Sequence, residues 1–112
     1  MNSLLSKQTE FFNSHVTKDI DFRIQALNDL KKAILEYEDK ISDALHEDLG
    51  KSKVEAYSTE IGFSLYEIST IIKNLKKWSK PNKVKNHWVF PLSKSYVHKE
   101  PYGRVLIISP WN

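Results

Sequence analysis

Apolar side chains recur at steps of three and four along residues 20–48 and again along residues 53–79, which is the spacing of one face of an α-helix. The first stripe consists of Ile20, Ile24, Leu27, Leu30, Ile34, Tyr37, Ile41 and Leu45. The second consists of Val54, Tyr57, Ile61, Leu65, Ile68, Ile72, Leu75 and Trp78. The pattern predicts two long amphipathic helices joined by a short loop, and such helices pack as an antiparallel hairpin.

Capping residues support these helix boundaries. Gly50 follows the first stripe, and glycine takes the left-handed C-terminal position without a side-chain clash. Ser52 with Glu55 forms a capping-box sequence, and Pro81 ends the second helix because proline lacks an amide proton. A less regular stripe over residues 3–16 predicts an additional helix at the start of the chain.

The pattern changes after the last predicted helix. Residues 82–91 are basic and aromatic and predict a connector, and residues 95–100 predict an exposed strand at a sheet edge or a subunit contact. A Pro-Tyr-Gly turn then leads into Val105–Ile108, an unbroken apolar run typical of a strand buried on both faces. One buried strand needs partner strands, which we expect downstream or on another chain.

Composition places the chain among globular proteins, since its 112 residues are 40% hydrophobic and 28% charged. No apolar run approaches the roughly 18 residues that span a membrane, and the first residues lack the basic start and apolar core of a signal peptide. We therefore expect a cytoplasmic location. The chain has no cysteine, and its four histidines show no metal-ligand spacing, so the sequence predicts no metal site.

Charge is distributed unevenly along the chain. Residues 1–72 carry 8 basic and 13 acidic side chains, whereas residues 73–112 carry 9 basic and 1 acidic. Lysines near Trp78, His87 and Trp88 are typical of single-stranded nucleic-acid binding. The other interpretation is a solvated helix end, where lysines complement the helix dipole. Because Trp78 falls on the apolar stripe, the second interpretation is favoured over nucleic acid as a partner.

The closing sequence carries a family resemblance. Residues 100–112 read EPYGRVLIISPWN and resemble the segment of aldehyde dehydrogenases that ends in a Pro-Trp-Asn loop. The pattern is most similar to the class 3 branch. Residues 21–57, DFRIQALNDLKKAILEYEDKISDALHEDLGKSKVEAY, resemble the second helix of that branch and the turn into its third, and YVHKEPYG resembles the strand before the buried one. The resemblance implies the N-terminal fragment of an α/β enzyme, mainly helical within this chain.

The resemblance also implies a reaction and a set of site residues. In that family a cysteine thiolate attacks an aldehyde, a hydride passes to NAD or NADP, and a glutamate-activated water releases the carboxylic acid. The asparagine of the Pro-Trp-Asn loop donates its amide to the oxyanion, which implies Asn112 as a catalytic residue. Ile108, Ser109, Pro110 and Trp111 are implied to line the cofactor cleft. Since this chain has no cysteine, we expect it to be inactive alone.

The same resemblance implies an organisation for the chain. Residues 1–82 would be the helical part of the cofactor-binding domain, residues 83–101 a connector and strand of the oligomerisation region, and residues 102–112 the first buried strand and the start of the active-site loop. Tyr96–Glu100 would take part in a homodimer contact. The expected partners are an aldehyde substrate and the remainder of the same polypeptide. The alternative is an independent helical binding module whose terminal strand adds to a partner's sheet.

Overall fold

The computed structural model describes residues 2–89 and 91–109, with only the backbone at Asn2. Its regular elements are α1 (Asn2–Asn13), α2 (Ile20–Glu36), α3 (Glu38–Leu49), α4 (Lys53–Ala56), α5 (Gly62–Trp78), β1 (Asn82–Val84) and β2 (Ser95–Val97). A short 3₁₀ helix, Val16–Lys18, follows α1, and a π-helical turn, Tyr57–Ile61, joins α4 to α5. The chain divides into two compact units: Ile20–Trp78 forms one, and the residues on either side of it form the other.

The helical unit is built on a contact between α2 and α5. Lys76 Nζ lies 2.9 Å from Asp21 Oδ1, and Lys31 Nζ donates to Ser69 Oγ at 2.8 Å. Residue numbers rise along α2 as those of its contacts fall along α5, so the two helices run in opposite directions. The predicted antiparallel packing of the two helical segments is therefore confirmed.

The core of this unit is small and extends from α4 through the π-turn into α5. Its buried apolar side chains are Ala56, Ile61, Leu65 and Ile68. Half-buried members of the first stripe complete it, namely Ile20, Ile24, Leu27, Ile34, Ile41 and Leu45. The predicted stripes are wrong at five positions that the structure exposes, which are Leu30, Tyr37, Val54, Tyr57 and Trp78. Most of these lie near the ends of helices, where fewer neighbours are available to cover a side chain.

The predicted helix over residues 20–48 is interrupted at Tyr37. This residue has φ −99° and ψ 12°, outside the helical range, although its carbonyl still accepts from Ile41 N at 2.9 Å. The interruption is therefore local, and the chain continues into α3. Gly50 ends α3 in the left-handed region at φ 67°, with its N–H donating to His46 O at 2.8 Å, as the sequence predicts.

The predicted helix over residues 53–79 begins as expected but contains a π-turn. Ser52 Oγ accepts a hydrogen bond from Glu55 N at 3.2 Å, which confirms the N-cap. At the end of the turn, Gly62 N–H donates to the carbonyl of Tyr57, five residues earlier. A Cβ at Gly62 would lie 2.9 Å from that carbonyl oxygen. The wider turn thus brings the Tyr57 carbonyl oxygen too close to residue 62 for a side chain there to fit without a shift.

The second unit contains α1 and a two-stranded antiparallel sheet. The predicted helix over residues 3–16 ends earlier, at Asn13, and His15 then takes a left-handed conformation at φ 63°. In the sheet, Val84 of β1 pairs with Ser95 of β2. The predicted strand over 95–100 is confirmed in part as β2, whereas the predicted connector over residues 82–91 is corrected, since its first residues form β1.

The prediction of a buried strand at Val105–Ile108 is wrong for this chain. These side chains are 64–85% exposed, and the backbone there has no strand assignment. A run of aliphatic residues forms a buried strand only when neighbouring strands and covering helices are present, and the described residues provide neither for this run.

Candidate active-site segment

The bend that precedes the apolar run lies against α1. Gly103 has φ 86°, a left-handed conformation that favours glycine, and a Cβ there would lie 3.4 Å from Cε1 of Phe12. Tyr102, just before it, is 97% exposed. In place of the predicted Pro-Tyr-Gly turn, the chain bends at Gly103 and Arg104. The half-buried Gly103 lets the backbone approach the Phe12 ring.

A long-range hydrogen bond fixes the next residue of the segment. Arg104 Nη1 donates to the main-chain carbonyl of Leu5 at 3.2 Å. Together with the contact between Phe12 and Gly103, this bond ties the start of the apolar run to α1. The apolar face predicted for the first helix includes Phe12, but the sequence does not indicate that it meets Gly103 or that Arg104 bonds to Leu5, since contacts so distant along the chain leave no periodic signal.

Two of the five predicted site residues lie within the described part of the chain. Ile108 is 82% exposed, and Ser109 is also exposed. Pro110, Trp111 and Asn112 lie outside the described residues. The structure therefore places the approach to the Pro-Trp-Asn loop, and the roles of all five residues remain predictions.

A cavity of about 490 Å³ lies beside the β1–β2 loop. Its lining combines cationic, aromatic and amide groups: Lys83, Val84, Lys85, Asn86, His87, Trp88, Pro91 and Ser93. The loop is closed at its base by a hydrogen bond from Asn86 Nδ2 to the carbonyl of Ser93. This cavity does not include Ile108 or Ser109.

A second cavity, of about 280 Å³, lies in the helical unit beside the turn from α3 to α4. It is lined by Ser42, Asp43, His46, Lys51, Ser52 and Lys53. Both lysines are already paired, since Lys51 Nζ lies 2.6 Å from Glu60 Oε1 and Lys53 Nζ lies 3.3 Å from Asp39 Oδ1. The cations at this cavity are thus neutralised by the protein itself.

The basic run is divided between the two units. Lys73, Lys76 and Lys77 lie on α5, where Lys76 pairs with Asp21. Lys80 and the lysines after it belong to the other unit. Among residues 2–89 and 91–109, no group of three or more histidine, aspartate or glutamate side chains could hold a metal ion. No helix in the described part of the chain is long and apolar enough to cross a membrane.

Comparison with known proteins gives a consistent result. The model of the aldehyde dehydrogenase family matches residues 5–112. The chain is 54% identical over 103 residues to a 4,4'-diaponeurosporen-aldehyde dehydrogenase of Staphylococcus aureus, covering 91% of this chain and 22% of that protein. It is 40% identical over 111 residues to aldehyde dehydrogenase family 3 comG of Dictyostelium discoideum, covering 98% of this chain and 24% of the relative.

A solved structure agrees with the sequence comparisons. The structure titled "Substrate bound state of Staphylococcus Aureus AldH" superposes with a TM-score of 0.86 at 46% sequence identity, covering 90% of this chain and 22% of that one. The chain thus spans about a quarter or less of the length of the proteins it matches. These matches confirm the resemblance and the expected fold class, a mainly helical part of an α/β enzyme.

Proposed function

The chain belongs to the aldehyde dehydrogenase family, an oxidoreductase family, and from this premise we propose that it is the N-terminal part of an NAD- or NADP-dependent enzyme that oxidises aldehydes to carboxylic acids. The observation that carries the proposal is the family match over residues 5–112, which includes the closing sequence SPWN. The same match leaves the alternative of an independent nucleic-acid-binding module without support.

Asn112 is the catalytic residue that this chain would contribute. When a nucleophile attacks an aldehyde, the carbonyl oxygen gains a negative charge that is present in the transition state and nearly absent in the substrate. A side-chain amide donor beside that oxygen lowers the barrier more than it tightens substrate binding. The hydrogen bond from Arg104 to the Leu5 carbonyl and the approach of Gly103 to the Phe12 ring support this role, since they hold the start of the segment that leads to Asn112.

Ile108, Ser109, Pro110 and Trp111 would contribute one wall of the cofactor cleft. Of these, Ile108 and Ser109 are exposed and line neither of the two cavities described above. The remaining walls would come from further chain. In this scheme residues 1–82 and 102–112 belong to the cofactor-binding domain, and residues 83–101 belong to the oligomerisation region, with Tyr96–Glu100 in a homodimer contact.

The name of one relative supports a choice of substrate to test. The S. aureus protein that is 54% identical is named a 4,4'-diaponeurosporen-aldehyde dehydrogenase. We therefore propose the aldehyde of that name as the substrate to assay first, with a short aliphatic aldehyde for comparison. A cytoplasmic location, expected from the sequence, belongs to the same proposal and is tested by cell fractionation.

The test uses Asn112→Ala and Asn112→Asp in the protein expressed from its complete reading frame. Loss of one oxyanion donor lowers turnover by about 10²–10³-fold, and aspartate should be at least as harmful because it places a negative charge beside the oxyanion. Formation of the reduced cofactor measures turnover, and a cofactor titration tests whether affinity is unchanged. Asn28→Ala, at an exposed position of α2, is the matched control.

Two outcomes would contradict different parts of the proposal. Turnover near the wild-type value for Asn112→Ala would mean that Asn112 is an ordinary loop residue. Absence of any aldehyde-dependent cofactor reduction by the wild-type protein would contradict the reaction itself.

A further inference from the structure

The apolar run Val105–Ile108 carries little information about its own register. Its four side chains are all aliphatic, with no polar residue among them. A strand with alternating polar and apolar side chains fixes its register, because a slip of one residue would bury the polar set. In this run a slip of one residue only replaces one aliphatic side chain by another. A contact outside the run must therefore fix its position when it pairs with further strands.

Two contacts with α1 hold the residues just before this run. The Gly103 backbone lies against the Phe12 ring, where a Cβ would be 3.4 Å from Cε1 and 3.6 Å from Cδ1 and Cζ. Arg104 Nη1 donates to the carbonyl of Leu5 at 3.2 Å. Phe12 and Leu5 are seven positions apart, which is about two turns of an α-helix, or roughly 10 Å. The Arg104 side chain therefore extends along α1, and two separated contacts fix the direction of the segment as well as its position.

We propose that Arg104 is a positioning residue for the reaction, because its bond to α1 sets the register of Val105–Ile108 and thereby the placement of the Asn112 amide. In the proposed function, on which this inference rests, that amide contacts the oxyanion. An extended segment has a fixed length of about 3.3 Å per residue, so a slip at its start is carried to its end. A misplacement of about 1 Å at a reacting group lowers the rate by up to about 100-fold.

The Leu5 carbonyl accepts from a second side chain, which provides a comparison at the same acceptor. Thr9 Oγ1 donates to it at 2.7 Å from the next turn of α1. This bond is local to the helix, whereas the bond from Arg104 joins residues 99 positions apart. Loss of the Thr9 hydroxyl leaves the carbonyl able to accept from Arg104. Only loss of the Arg104 guanidinium therefore separates the segment from α1 at this point.

The experiment measures turnover at saturating cofactor for Arg104→Met in the protein expressed from its complete reading frame. Methionine keeps an unbranched side chain but has no hydrogen-bond donor. Loss of this one hydrogen bond should lower turnover by about three- to tenfold. Arg104→Lys, which keeps a cationic donor, should lose less. Thr9→Val and Lys7→Met change α1 without removing a contact to the segment, so both should leave turnover unchanged.

A double-mutant cycle separates positioning from a general loss of stability. If Arg104 acts through Asn112, Arg104→Met should cost less than about twofold in an Asn112→Ala background. A merely structural role would lower turnover by the same factor in both backgrounds. Hydrogen exchange of the Val105–Ile108 amides, measured by mass spectrometry, needs no activity. Exchange should be faster in Arg104→Met and unchanged in Thr9→Val.

Three results would overturn the positioning role of Arg104 and leave the proposed function intact. These are unchanged turnover of Arg104→Met, an equal loss in the Asn112→Ala background, and unchanged exchange of the Val105–Ile108 amides. Absence of turnover in the wild-type protein would contradict the proposed reaction instead, and the exchange measurement would still decide whether Arg104 holds the segment. Arg104 is exposed, so its substitutions should not prevent folding, which circular dichroism verifies.

Discussion

Gly62 lies at the end of the π-turn, where replacing glycine with alanine should destabilise the chain, although the same replacement stabilises most helices. Its backbone angles, φ −62° and ψ −39°, are ordinary for a helix, and alanine at such a position normally stabilises by about 0.5–1 kcal/mol. Here an added Cβ would lie 2.9 Å from the carbonyl oxygen of Tyr57 and 3.0 Å from Cε1 of its ring. Contacts this short require one of the two groups to move.

The geometry around Gly62 sets how far Gly62→Ala should lower the free energy of unfolding. The Tyr57 carbonyl accepts the N–H of Gly62, so moving it away weakens the hydrogen bond that defines the π-turn. Forcing extra volume into a packed site costs about 1–3 kcal/mol. After the stabilisation that alanine normally gives a helix is subtracted, Gly62→Ala should lower the free energy of unfolding by about 1 kcal/mol, within a range of about 0–2.5 kcal/mol.

Urea unfolding of the 112-residue chain, followed by the helical circular dichroism signal, measures this change. Ser64→Ala, at an exposed position of the same helix, is the control and should shift the free energy of unfolding by no more than about 0.5 kcal/mol. A Gly62→Ala variant that is more stable than the wild type would refute the reasoning, since it would mean that the turn converts to a regular α-helix at no cost.

Three further predictions concern the same chain. Gly50→Ala should destabilise it by about 1 kcal/mol, and Gly50→Asn by less, because the left-handed conformation at φ 67° is strained for alanine; urea unfolding compares the two. Ser52→Ala should cost about 1 kcal/mol in the same assay through loss of the hydrogen bond to Glu55 N, and an unchanged stability would show that the cap contributes nothing. Removal of the residues after Pro101 should raise solubility, measured by sedimentation at high concentration, because it deletes the exposed run Val105–Ile108.

The features that local physics determines were predictable from the sequence. Helical spacing identified Ile61, Leu65 and Ile68 as core, since an amphipathic helix buries one stripe wherever it packs. Gly50 marked the end of α3 because glycine adopts the left-handed conformation easily. Ser52 marked the start of α4 because its hydroxyl group accepts a hydrogen bond from a residue three positions later. These signals depend on a few adjacent positions and need no knowledge of the rest of the fold.

Other features depend on contacts that the spacing does not encode. The helix is interrupted at Tyr37, but Tyr37 still falls at the expected apolar spacing. The stripe therefore could not reveal the interruption. The π-turn shifts the helical register by a single residue between Tyr57 and Gly62, which a three-or-four spacing tolerates. Strand β1 looked like a connector because its three residues are all exposed and gain their order from pairing with β2.

In the candidate site, too, the sequence predicts what adjacent residues determine and misses what distant contacts determine. The bend at Gly103 followed from its sequence, and the structure adds the contacts to α1 that the sequence could not supply. The run Val105–Ile108 has the composition of a buried strand, but burial is a property of the neighbours as well as of the run itself. The role of Asn112 came from family resemblance and stays a prediction.

The division into two units has a consequence for the order of folding during synthesis. The helical unit, Ile20–Trp78, is continuous in sequence, so it has all its parts as soon as it has emerged from the ribosome. The other unit is discontinuous, and the hydrogen bond from Arg104 to Leu5 joins residues that are 99 positions apart. At roughly 5–20 residues per second, synthesis of the intervening Ile20–Trp78 takes about 3–12 s. Helix α1 therefore cannot form its contacts with residues 103 and 104 until the helical unit has already had time to fold.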